Sequence, residues 1–203
     1  MSRPSVRTAR IAGWIAIPAA LLVSGLAIGG ASYSAFSSTT SNPTNNWTTG
    51  TVALSDDDAN VAMFTATGLK PGSTGTKCIV VTSTGSLPSA VKLYGTGSAT
   101  TLALSSSLNL TITQGTGGSF STSGPSSCTG FTASPATPIF AGTVASFAST
   151  YTSYANGLAT WSPTGASSES KTFQFTYTVD PAAPSTTQGG TAALGFSWEA
   201  QNS

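Results

Sequence analysis

The chain has 203 residues, 7 Lys or Arg against 6 Asp or Glu, no His and two Cys, and only 6% of it is charged, against about a quarter of an ordinary soluble domain. Without imidazole it can build no Ser-His-Asp or Cys-His nucleophile, no His-containing zinc site and no switch near neutral pH. A net charge of +1 gives no hold on nucleic acid or on an anionic bilayer. Neutral hydroxyls must wet the surface instead, and 33 Ser with 34 Thr make up one residue in three.

At the N-terminus, Arg3, Arg7 and Arg10 precede an uncharged stretch from Ile11 to Ala35. A positive segment followed by an apolar one is the pattern of an export signal. Gly29, Gly30, Ala31, Ser32, Ser34 and Ala35 supply the small side chains that cleavage needs. The alternative is a retained membrane anchor, because about 20 apolar residues span a bilayer. Removing residues 1–35 leaves 168 residues with 4 basic and 6 acidic side chains, net −2. Length then predicts one domain behind one processed segment.

Strand signals follow from residue 49. Strands are expected over Gly50–Ser55, Asn60–Thr67, Thr76–Thr82 and Ala90–Tyr94, then around Leu108, Leu110 and Ile112. Further on, Phe173, Phe175, Tyr177 and Val179 alternate with Thr172, Gln174, Thr176 and Thr178, giving one dry face and one wet. The same period groups Leu194, Phe196 and Trp198. Turn chemistry separates these runs at Lys70-Pro-Gly-Ser73, at Thr84-Gly-Ser-Leu-Pro88 and at Gln114-Gly-Thr-Gly-Gly118. Val144, Phe147, Ala148, Tyr151 and Ala155 recur at helical spacing instead, which predicts a short helix over 143–157 ending at Gly157. Residues 119–130 read as an exposed loop held at Cys128, and 180–190 as a Pro-rich connection. The fold class is therefore all-β, a two-sheet sandwich of Greek-key or jelly-roll type with one short helical crossover, preceded by an N-terminal signal helix.

Few residues can carry chemistry. In an oxidising compartment Cys78 and Cys128, the only two cysteines, persist as a disulfide, and closing a 50-residue loop stabilises by about 4 kcal/mol through lost unfolded-chain entropy. Two buried thiols are the alternative; a metal site is not expected, since two thiolates fall short of four ligands. Asp56, Asp57 and Asp58 form the one candidate cation site, for calcium through oxygen ligands. The run lacks the alternate spacing, Gly and distal Glu of an EF-hand and reads otherwise as a solvated turn. Nothing places two of Asp56, Asp57, Asp58, Glu169, Asp180 and Glu199 across one cleft as glycoside hydrolysis requires. Asn46-Trp-Thr48 and Asn109-Leu-Thr111 match the glycosylation sequon. Trp47, Trp161 and Trp198 are candidates for a sugar-binding face, although the alternation assigns Trp198 to the core. No cofactor is expected.

Four local features resemble one family. They are Gly29-Gly-Ala-Ser-Tyr-Ser-Ala-Phe36, Trp47-Thr-Thr-Gly-Thr-Val-Ala-Leu54, Gly68-Leu-Lys-Pro-Gly72 followed by Thr84-Gly-Ser-Leu87, and Leu194-Gly-Phe-Ser-Trp-Glu-Ala200. Their order and spacing resemble the TasA/camelysin family of exported bacterial proteins, whose signals are cut by a SipW-type signal peptidase. The resemblance implies cleavage between Ala35 and Phe36, a jelly-roll-like mature domain over 36–203, and a secreted protein of the cell surface or biofilm matrix that assembles into fibres. It implies too that the N-terminal segment of one subunit inserts as a strand into the next, so that the partners are copies of the same chain and, during export, the signal peptidase. Residues 36–54 suit this as a donor strand: they are uncharged, rich in Thr and Ser, and capable of pairing with an exposed sheet edge. Phe36, Trp47, Val52 and Leu54 are its candidate anchors. Within it, Asn42-Pro43 interrupts a continuous ladder, because Pro offers no backbone N–H.

Two other functions compete. One is a monomeric surface adhesin or glycan-binding module acting through exposed aromatics such as Trp47 or Trp161. The other is the metallopeptidase activity attached to camelysin relatives, which fails on residues: the chain has no His-Glu-x-x-His and no imidazole to ligate zinc. The chain is therefore read as a non-enzyme.

Overall fold

The computed structural model describes residues 49–58, 61–119 and 128–202. The expected signal segment, the cleavage pair Ala35 and Phe36, and Trp47 lie outside the described residues.

Among the described residues nine strands and one α-helix follow in order: β1 (Leu54–Asp56), β2 (Thr74–Ser83), β3 (Ser89–Thr100), β4 (Leu108–Thr116), β5 (Thr132–Ala133), β6 (Phe140–Thr143), α1 (Val144–Thr150), β7 (Leu158–Ala159), β8 (Glu169–Val179) and β9 (Ala192–Asn202). The larger sheet runs β1-β2-β8-β4, and the far side of β4 is shared by β5 and β6; the smaller runs β7-β3-β9. Every pairing is antiparallel. The two sheets face each other, with Ile79, Val81, Ile112, Phe173 and Phe175 of the larger one meeting Leu93 of the smaller in a single core. Ring contacts tie them, Phe175 to Phe196 at 4.6 Å and Phe173 to Trp198 at 5.2 Å. The all-β sandwich expected from the alternation is present, with Phe173 and Phe175 fully buried and Thr172, Gln174, Thr176 and Thr178 on the other face.

Register defines two ends. Ser83 pairs with both Leu54 and Glu169, and Ser89 pairs with Asn202, so the described chain enters at the end where β2 and β9 finish and where β3 and β8 start. Thr74, Thr100, Val179 and Ala192 mark the opposite end. On the outer face of the larger sheet, neighbouring hydroxyls bridge from strand to strand: Thr74 to Thr178 at 3.2 Å, Thr76 to Thr176 at 3.0 Å and Thr82 to Ser170 at 2.8 Å.

Two expected elements differ. Residues 61–67 form no strand although they carry alternating apolar residues. Part of the edge they would pair with is taken: β1 covers Val81 to Ser83, and the Asp57 carboxylate accepts the Val80 N–H at 2.8 Å, while Thr74 to Ile79 have no strand on that side among the described residues. The segment packs by its side chains instead, with Phe64 edge-on to Tyr177 at 5.1 Å. The helix starts where expected, its first turn capped by the Thr143 hydroxyl accepting from Ser146 N–H, but it stops at Thr150 rather than Gly157. Asn156 Oδ1 collects the N–H groups of Thr152 and Ser153 at 3.1 and 2.9 Å, a local turn that competes with helix. The Tyr151 carbonyl meanwhile accepts from Gly95 N–H of β3.

Candidate functional site

A sandwich of this kind offers a partner its faces and its edges, and the edges here are unequally protected. On the outer edge of β3, Ser89, Val91 and Gly95 donate their N–H groups to Pro163, Trp161 and Tyr151 at 3.1, 3.0 and 2.8 Å, and β7 pairs with Lys92 and Leu93 between them. On the larger sheet, β5 and β6 close β4, while β1 and Asp57 close the end of β2. The outer edge of β9 has no strand beside it among the described residues.

That edge is chemically inviting. It is 11 residues long, Ala-Ala-Leu-Gly-Phe-Ser-Trp-Glu-Ala-Gln-Asn, with no Pro and no Lys, the residues that usually discourage edge pairing. Its single charge, Glu199, points to the outer face, where it accepts from Tyr94 Oη at 2.9 Å and from Gln201 Nε2 at 2.8 Å. These bonds, Gln201 foremost, hold its carboxyl below the usual carboxylate range. The opposite side chains, Leu194, Phe196 and Trp198, are aimed at the core yet only half-buried, whereas Val91 and Leu93 on the central strand are fully buried. The core is therefore incomplete along this margin.

Hydrogen-bond direction follows from β3. Because Ser89, Val91 and Gly95 turn their backbone groups away from β9, Ala90, Lys92 and Tyr94 face it, opposite Gln201, Glu199 and Ser197. Backbone direction alternates along a strand. Phe196, Trp198 and Ala200, and Leu194 before them, thus present their N–H and C=O groups at the open side.

The chain entry is fastened close by. Thr51 carbonyl accepts from Ser86 and Leu87 N–H at 2.8 and 3.2 Å, Ala53 carbonyl accepts from Thr84 N–H at 3.0 Å, and Thr51 N–H donates to Ser86 Oγ at 3.0 Å. Gly85 makes this approach possible: a Cβ there would stand 2.6 Å from Thr51 O and 2.9 Å from Val52 Cα. Of the candidate donor anchors, Leu54 lies in β1 and packs on the core of its own subunit, and Val52 sits within this fastened stretch. The described part of the expected donor segment is thus engaged with its own subunit, and only residues before 49 are left for that role.

The other singled-out residues have structural places. Cys78 and Cys128 are joined, Cα to Cα 5.3 Å, which ties the loop after β4 across the outer face of β2; such a bond fits an oxidising compartment. Asp57 is used on the β2 edge, and Asp58 N–H lies 3.4 Å from Asp56 Oδ1. Partial burial, with Asp58 beside it, pushes the Asp56 carboxyl above its ordinary value. Among the described residues no three Cys, Asp or Glu side chains gather as a metal ion requires, and no helix is long and apolar enough to cross a membrane. Glu169 accepts from Thr164 Oγ1 and N–H at 2.7 and 2.6 Å, which lowers its pKa. Asp180 caps a turn by accepting from Ala182 N–H. Asn109 stands exposed on β4.

Of the aromatic candidates, Trp198 lies in the core as the alternation indicates, and Trp161 joins it, stacked on Phe173 at 5.9 Å with its indole nitrogen buried. Trp161 therefore offers no open platform for a sugar. Compared with known proteins, the chain matches no family model and no curated protein.

Proposed function

We propose that this protein is an exported structural subunit that assembles into fibres of the cell surface or matrix by strand addition: an N-terminal segment from one copy docks on the open edge of β9 in the next. The observation that carries the reading is the 11-residue edge of β9, which has no strand beside it among the described residues and lies next to half-buried Leu194, Phe196 and Trp198. A strand laid there gains backbone hydrogen bonds and covers apolar surface together. It also extends the three-stranded sheet toward the jelly-roll-like form that the resemblance to TasA/camelysin proteins implies.

Length supports the same occupant. If export removes residues 1–35, the segment ahead of the fastened entry is Phe36–Thr48, 13 residues against the 11 of β9. The arrangement is head-to-tail and does not close, so it propagates as a filament. The disulfide and the Arg-led N-terminus support export.

Electron microscopy and light scattering of the purified chain beginning at Phe36 test this. Filaments are expected from that chain, and none from one lacking residues 36–48, which should remain a folded monomer by circular dichroism. Filament growth by the shortened chain overturns the proposal.

A further inference from the structure

We infer that Pro43 and the bond direction of β9 together fix how the incoming strand lies: antiparallel to β9, with Phe36 turned into the acceptor's core and Pro43 left on its outer face. The inference rests on the fibre reading above and adds to it the orientation and the register parity of the contact.

Orientation comes from the two ends of the sandwich. The described chain starts at Thr49 at the end where β9 finishes, so an arm that leaves its subunit there has Thr48 nearest and Phe36 farthest. The next subunit, stacked head-to-tail in the same sense, presents the start of its β9 first. Ala192 of the acceptor then meets the base of the arm and Asn202 meets its tip, which is antiparallel pairing. An arm folded back onto β9 of its own subunit runs the other way, from Phe36 near Ala192 to Thr48 near Asn202, and is parallel.

Parity comes from proline. The added strand becomes the new edge, and Pro is tolerated in an edge strand only where its nitrogen faces away from the ladder. With Pro43 facing away, residues 36, 38, 40, 42 and 44 direct their backbone groups at β9. In antiparallel pairing, residues that exchange bonds stand directly opposite and share a face. Their partners on β9 are Leu194, Phe196, Trp198 and Ala200, whose side chains line the core face. The even-numbered arm residues therefore point inward, and Phe36 is the only large apolar one among them. Pro43 lies on the opposite face. In the parallel, own-subunit arrangement the assignment reverses, because aligned residues there alternate in bond direction.

Size matching selects a register. Placing Phe36 opposite Ala200 sets Ser38 against Trp198, Thr40 against Phe196 and Asn42 against Leu194, a small or polar side chain against each large one, so that neither side overfills the seam. Residues 45–48 then bridge the subunits, with a reach of about 14 Å.

A proline and alanine scan of the chain beginning at Phe36 tests this, read as the monomer concentration left when filament growth stops. Thr40→Pro, which removes a bond to β9, and Phe36→Ala, which removes the inward anchor, should each raise that concentration about tenfold or more. Ser41→Pro should leave it within about twofold of the parent. Circular dichroism confirms that each variant keeps the sandwich. Damage from Thr40→Pro with Phe36→Ala tolerated overturns the orientation while leaving fibre formation standing, damage from Ser41→Pro with Thr40→Pro tolerated overturns the parity, and equal damage from Thr40→Pro and Ser41→Pro overturns strand pairing at this edge. A parent chain that never polymerises removes the fibre reading itself, and this inference with it.

Discussion

Gly85→Ala should loosen the chain entry without touching the core. Gly85 has no left-handed backbone to preserve, so alanine is conformationally acceptable there; the obstacle is space. The new methyl would lie 2.6 Å from Thr51 O, 2.9 Å from Val52 Cα and 3.0 Å from Ala53 N. All three are backbone atoms of the entry strand and none can rotate aside. The strand must move off, and with it go the bonds from Ser86 and Leu87 to Thr51, from Thr84 to Ala53, and from Thr51 to Ser86 Oγ. At roughly 0.5–1.5 kcal/mol net for each of the four bonds, and with about 0.4–1 kcal/mol returned by the stiffer unfolded chain, the loss is about 1–5 kcal/mol, at roughly 2–4 °C in Tm per kcal/mol for a domain of this size. Urea and thermal denaturation of the chain lacking residues 1–35 measure it. Gly68→Ala is the control, because Gly68 has open space around it but a φ of +63°, so it should lose only about 1 kcal/mol, from backbone strain. A Gly85→Ala protein as stable as its parent would refute the claim that close backbone packing fastens residues 51–53.

Two further outcomes follow from local geometry. Leu102 and Ala103 both have positive φ, 49° and 53°, without being glycine, and Leu102 is 54% exposed, so Leu102→Gly should relieve about 1 kcal/mol of strain with little packing lost; a Tm that falls contradicts this. Glu169 has a pKa lowered from its ordinary 4.5 by the Thr164 hydroxyl and N–H, so its share of stability is present above pH 4.5 and disappears as pH drops through the lowered value. The stability difference between the parent and Glu169→Gln should therefore shrink on acidification. Asp56, raised from 3.8, has the opposite sign, and its Asn variant should lose relative stability as the pH falls; denaturation at several pH values checks both.

The strands with one strongly alternating face, β8 and β9, could be read from the sequence because period two reports burial directly. Residues 61–67 show why that signal is insufficient: alternation says a segment can lie flat, but not that it pairs, and part of the β2 edge is already taken by β1 and Asp57 just upstream. The helix start was legible in Thr143 and the spacing that follows, whereas its end was set by Asn156, whose side-chain bonds leave no periodic trace. Val52 and Leu54 looked like free anchors because an uncharged Thr-rich run suits pairing with a neighbour and with its own subunit equally well. The open edge of β9 could not be seen at all, since it depends on strand order, and order is set by contacts between residues about a hundred positions apart, such as Lys92 with Glu199. The short strands β5, β6 and β7 fall below the length at which periodicity can be recognised.

The hydroxyl bridges along the larger sheet bear on how such a molecule behaves in changing surroundings. A surface wetted by Thr74, Thr76, Thr176 and Thr178 and their neighbours, rather than by ions, gathers no cloud of counter-ions for dissolved electrolyte to thin. Diluting or concentrating the electrolyte around it would leave its hydration nearly the same, because hydroxyls bind water without holding ions.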